Sequence, residues 1–271
     1  MGPARLSGRR RGPEPAIIGG SLALLGAVVL LVLFFGAKFW AESQRAEIDE
    51  ASLCPKSGAT AVTAVLVDRS DPLGPQQSQR VRQVLDRTVA EVPVGGKIAL
   101  YLAEADDFER LAPVLALCNP GSEANPLYQN PKRMRARYEE QFKKRLDTVI
   151  EALLRPSPRK TSPIMESIKA VCIDAFGAVP ANVPLRLLVV SDLLQHSPIA
   201  SHYRDKNFEN FLKDPKMSGV LVDCKGADVE VIYVLRLGKD GRPTIQNRAH
   251  QRFWDLYFQR LNARPRSLEA V

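Results

Sequence analysis

The sequence is poor in the residues from which reactive centres are usually built. It has four cysteines and no Cys-x-x-Cys pair, which excludes a zinc ribbon and a thioredoxin-type redox site. Four cysteines are also too few to build a disulfide-held miniprotein from 271 residues. With only His196, His202 and His250 there is no polyhistidine metal centre. There is no P-loop and no Gly-x-Gly-x-x-Gly, so no phosphate-cradling loop is encoded. There is no Gly-x-Ser-x-Gly elbow either. Internal repeats and long low-complexity segments are lacking. Charged residues make up 25% of the chain and apolar ones 45%, a balance that argues against wholesale disorder and provides for one core plus extras.

What is present begins with one long apolar run. Residues 16–37 contain no charge over 22 positions, a length of about 33 Å as a helix. A bilayer's hydrocarbon core is about 30 Å thick, so the run is long enough to span it. A cleaved signal peptide would have a shorter apolar region and a small-x-small cleavage site, whereas here Phe35, Lys38, Phe39 and Trp40 crowd the end. Arg5, Arg9, Arg10 and Arg11 precede the run, and only Lys38 and Arg45 follow closely. The positive-inside rule then keeps the N-terminus in the cytoplasm. The expected organisation is a basic cytoplasmic tail (1–15), a transmembrane helix in contact with the lipid bilayer (16–38), a stalk (39–58), a folded extracytoplasmic domain (59–262) and a C-terminal tail (263–271). In a bacterium that domain would be periplasmic.

Within the domain, apolar runs of strand length alternate with helical patterns. Ala61–Val67 is followed by a 3.6-period stretch with Val81, Val84, Leu85, Val89 and Val92 on one face, then by Lys97–Ala103. A strand–helix–strand unit implies a parallel pair. Leu111–Leu117 is a short third strand, read as antiparallel. Helices are expected over 132–154, 162–176 and 249–261. Leu185–Val190 is near-continuously apolar, as a parallel strand buried on both faces should be. Val229–Leu235 is the next strand. The fold class is α/β, a doubly wound, mostly parallel sheet.

Ligands of such sheets bind beyond the carboxyl ends of the strands. After the first strand come Asp68, Ser70 and Asp71; Thr161 and Ser162 stand just before a helix; Asp192 follows the strand ending at Val190. This oxygen-only set suits a hard cation such as Mg²⁺ or Mn²⁺. The order and strand context resemble the von Willebrand factor A (vWA) family. Its adhesion site has Asp-x-Ser-x-Ser after the first strand, a Thr before a helix and an Asp after the fourth strand. Asp68 and Ser70 match the first motif, Ser162 (or Thr161, one position off) the Thr, and Asp192 the strand-end Asp. The third residue of the first motif is Pro72, which brings no hydroxyl and no N–H. Asp71 or a water is left to substitute. The opposing reading is a degenerate site whose carboxylates cap helices or bind backbone amides.

The resemblance implies a protein-interaction or scaffold module rather than an enzyme, with another protein as partner. The alternatives are a membrane-anchored metal-dependent hydrolase using Asp68 and Asp192, and a metal-independent structural subunit of an envelope assembly. No general base is evident for the hydrolase. A Ser191–Asp192–His196 set can be imagined, but His196 and His202 read as parts of a polar surface loop. The cations Lys132, Arg133, Arg135, Arg137, Lys143, Lys144 and Arg145 read as a solvated helix face, not a nucleic-acid patch. Phe253, Trp254, Tyr257, Phe258 and Leu261 read as the docking face of the last helix. In the implied fold all four cysteines fall at the end of the sheet away from the carboxylates. The sequence alone does not order their pairings; Cys54–Cys224 is the favoured disulfide, with Cys118 and Cys172 as lesser disulfide candidates or, in the opposing reading, buried free thiols.

Overall fold

A computed structural model describes residues 15–43, 47–103, 111–124, 129–204, 210, 213–238, 241 and 245–271. The arginines of the basic tail, and Arg45, lie outside the described residues. The chain divides into two units, residues 1–45 with 125–130, and residues 46–124 with 131–271.

In the first unit α1 runs over Pro15–Ser43 and contains the expected 16–38 segment. Side chains on it are described for residues 24–40, and its leucines, valines and phenylalanines there are exposed. Among the described residues no helix is long and apolar enough to cross a membrane.

In the second unit a six-stranded sheet carries helices on both faces. The strands are β1 (Val62–Val67), β2 (Lys97–Leu102), β3 (Leu115–Cys118), β4 (Leu185–Ser191), β5 (Asp228–Tyr233) and β6 (Arg264–Ala270), in the order β3-β2-β1-β4-β5-β6. All pairs are parallel except β2 with β3. Successive side chains of a strand point to opposite faces, and here both faces are covered. Val62, Ala64 and Leu66 pack in one core with α5 (Ile164–Val171) and α6 (Arg248–Arg260). Val65 and Val67 pack in the other with α2 (Pro75–Ala90) and α4 (Lys144–Leu153). That two-sided burial is why β1 and β4 read as unbroken apolar runs.

The 132–154 helix is built in three pieces, α3 (Pro131–Ala136), a π-helical turn (Arg137–Lys143) and α4. Phe142, Leu146 and Leu153 face inward, as the solvated-face reading of this segment requires. The aromatic face of α6 is likewise buried, with Trp254 and Tyr257 fully enclosed.

Three expectations are corrected. The supposed C-terminal tail is β6, an edge strand paired with β5. It escapes sequence reading because its residues are mostly exposed and carry no apolar run. The supposed stalk ends earlier: the described residues 47–58 belong to the folded unit. There Ile48 bridges Pro55, and Cys118 N–H donates to the Ser52 carbonyl at 2.8 Å. The disulfides are Cys54–Cys118 and Cys172–Cys224, with Cα–Cα distances of 4.7 and 5.1 Å, not Cys54–Cys224. Because β3 runs antiparallel, Cys118 returns beside Lys97, to the end of the sheet where the chain enters β1. Cys172 follows α5, and Cys224 precedes β5, next to the same core layer.

Candidate functional site at the carboxyl edge of the sheet

The ends of β1, β4 and β5 lie side by side, and β1 and β4 flank the point where strand order reverses. Asp68 stands one residue beyond β1. Its N–H donates to the Val190 carbonyl at 2.8 Å, extending the ladder to β4 by one bond. Its carboxylate is a hub. Oδ1 accepts the Ser70 N–H at 2.9 Å, and Oδ2 accepts the hydroxyls of Ser162 and Ser191, each at 3.0 Å. Three loops are thereby tied to one side chain, which is 8% exposed. Ser162 is itself fixed by a two-way backbone bridge with His196, 2.8 Å in each direction.

Asp192, 2% exposed, is held separately. Oδ1 accepts the Leu194 N–H at 2.9 Å, and Oδ2 accepts Arg236 Nε–H at 2.9 Å. Arg236 leaves the end of β5 and reaches back across β4 to the loop after β1. Its Nη1 donates to the Pro72 carbonyl at 2.7 Å and its Nη2 to the Asp71 carbonyl at 3.3 Å. Gln246 braces both sides, accepting the Arg236 N–H at 2.6 Å and donating to the carbonyls of Asp192 and Val234. Burial pushes the Asp192 carboxyl above the usual carboxylate range, and the charge of Asp68 adds to the rise. The Arg236 guanidinium and the Leu194 N–H pull it back down.

Between these carboxylates and α6 the chain turns at Leu193, whose φ of +56° is a left-handed conformation uncommon for leucine. The Leu193 carbonyl accepts Trp254 Nε1–H at 3.0 Å and lies 3.1 Å from both His202 Nδ1 and His250 Nε2. His202 is therefore not on a surface loop; it is 1% exposed, against His250 and Trp254. The Ser191–Asp192–His196 set is not joined: Ser191 Oγ bonds Asp68, and the exposed His196 ring bonds Ser201 at 3.0 Å.

The structure thus brings Asp68, Ser70, Ser162 and Asp192 to one edge. Thr161 and Asp71 are exposed, and Asp71 takes part through its carbonyl alone. Sequence reading missed Ser191, Arg236 and Gln246 as members. The only local signal for Arg236 is its position directly after the apolar run ending at Leu235.

A divalent cation needs about six oxygens, and Mg²⁺ requires near-octahedral placement. Here all four carboxylate oxygens of Asp68 and Asp192 already accept hydrogen bonds from the chain's own donors. Pro72 supplies no hydroxyl, and a fixed guanidinium already donates to Asp192 Oδ2. Among the described residues no group of three or more His, Cys, Asp or Glu gathers as a metal site. The side chains in this arrangement do not fit a resident Mg²⁺ or Mn²⁺.

No protein-family model matches the chain, and no curated protein does. Solved structures similar to it include an aerotolerance-related membrane protein from Bacteroides fragilis, at 12% identity over 78% of this chain and 91% of that one, TM-score 0.38. Another is the VWA domain of SpRpn10, at 11% identity over 79% of this chain and 88% of that one, TM-score 0.38. Similarity at this level carries no argument about function, and the architecture rests on the strand order described above.

Proposed function

We propose that this protein is a membrane-anchored, non-enzymatic interaction module of vWA-like architecture, which presents the carboxyl edge of its sheet to another protein outside the cytoplasm. The observation that carries the reading is the order β3-β2-β1-β4-β5-β6 with β3 alone antiparallel, and the convergence of three loops on Asp68 at the strand-reversal point. Two disulfides favour an oxidising compartment. The 22-residue uncharged run at 16–37 and the arginines before it favour an anchor with its N-terminus in the cytoplasm. Interaction is favoured over hydrolysis because the edge's carboxylates and hydroxyls are committed to one another, leaving a braced surface in place of a free nucleophile and base.

The test places a photo-crosslinking residue at Tyr203, exposed on this edge beside His196, or at Val94, exposed before β2 at the opposite end. In native membranes a discrete adduct is expected from Tyr203 and none from Val94. Equal labelling from both, or an adduct with a cytoplasmic protein, would sink the reading.

A further inference from the structure

We infer that Arg236 is a built-in replacement for a divalent cation, so that the edge is closed by the chain itself and works without metal. The guanidinium is a planar fork of five donors that stays charged at any physiological pH. Three of its nitrogens are used in three directions, toward Asp192 after β4, the Pro72 carbonyl and the Asp71 carbonyl after β1. These are the loops that a cation at this edge would tie together. Asp192 then receives one full positive charge and the Leu194 N–H. Asp68 receives three donors of its own, from the Ser70 N–H and the hydroxyls of Ser162 and Ser191.

The departure at Pro72 fits the same reading. A serine there would bring a hydroxyl as a metal ligand; proline brings none, and the backbone carbonyl at this position accepts Arg236 Nη1–H at 2.7 Å. Gln246, bonded to the Arg236 N–H and to the Asp192 carbonyl, holds the backbone from which the arginine reaches across. The inference does not depend on the identity or existence of a partner, and its test reads metal binding alone.

The test uses the purified full chain in detergent, titrated with Mn²⁺ and followed by electron paramagnetic resonance and by thermal midpoint. The wild type should bind no Mn²⁺ at 1 mM beyond an Asp192→Asn control, with the same midpoint in EDTA and in 5 mM Mg²⁺. Arg236→Met should lower the midpoint and create one Mn²⁺ site. That site should raise the midpoint again and vanish when Asp192→Asn is added. If Arg236→Met does not fold, Arg236→Lys replaces it: keeping the charge, it should be destabilised yet still bind no Mn²⁺. One equivalent of Mn²⁺ on the wild type, lost in Asp192→Asn, would overturn the inference, as would a midpoint that falls in EDTA. So would an Arg236→Met protein that folds and gains no Mn²⁺ site, or an Arg236→Lys protein that gains one.

Discussion

Removing either disulfide should cost the folded unit a large and separable part of its stability. The cross-links join residues separated by 64 and 52 positions, and the two loops do not overlap. By loop-closure entropy each restricts the unfolded chain by about 4 kcal/mol. Non-overlapping loops should act additively, so losing both costs about 8 kcal/mol. That is comparable with the 5–15 kcal/mol that holds a typical domain folded, so the fully reduced protein should sit near its unfolding midpoint at room temperature. Cys172 and Cys224 are also buried, whereas Cys54 is only partly so, and their replacement by alanine adds a small packing defect. Cys172→Ala with Cys224→Ala should therefore cost more than Cys54→Ala with Cys118→Ala. With an m-value of about 3 kcal/mol/M, each pair should lower the urea midpoint by about 1.3 M or more. The assay is urea unfolding of the full chain in detergent, paired with non-reducing peptide mapping. A Cys54–Cys224 peptide in the map, or pair removals that each cost under about 0.5 kcal/mol, would refute the reasoning.

Trp254→Ala should destabilise by about 4 kcal/mol, because it empties a fully buried site and removes the Nε1–H donor on the Leu193 carbonyl; thermal unfolding checks it. Asp68→Ala should cost about 2–4 kcal/mol, since it strips the acceptor shared by Ser162 Oγ, Ser191 Oγ and the Ser70 N–H. A loss under 1 kcal/mol in urea unfolding would show that Asp68 does not hold the three loops together. At alkaline pH the phenols of Tyr101, Tyr233 and Tyr257 should stay protonated in the folded state. Burial raises all three, helped by Asp174, Asp192 and Glu166 respectively. Their folded-state values lie above the ordinary value of about 10, so the stability they lend is whole below that pH and declines as pH rises past it. Phenolate absorbance from these residues should appear only together with unfolding, and titration near pH 10 with the fold intact would contradict this.

The parts of the fold that the sequence discloses are those where local pattern and tertiary environment agree. β1 and β4 announce themselves because both faces are buried, and α2 because one face is. β3 pairs antiparallel to β2, as read from the sequence, although twelve residues separate the two strands. β6 stays hidden because an edge strand with one neighbour and exposed side chains has no apolar period to betray it. The candidate site is half legible. Asp68, Ser70, Ser162 and Asp192 stand at strand ends and a helix start, positions that topology alone brings together. Arg236 is barely legible, because its partners lie 44, 164 and 165 residues away in the chain and only its place directly after the apolar run ending at Leu235 marks it. His202 misreads for the same reason: a histidine among polar neighbours is buried by contacts with α6 that no local window contains.

The central claim is an interaction edge that its own arginine closes, and the most direct measurement is the yield of the Tyr203 cross-link in native membranes with and without a chelator. The account predicts the same adduct at the same yield in 5 mM EDTA and in 5 mM Mg²⁺, with loss of the adduct in Arg236→Met. An adduct that disappears in EDTA and returns with Mg²⁺ would contradict it.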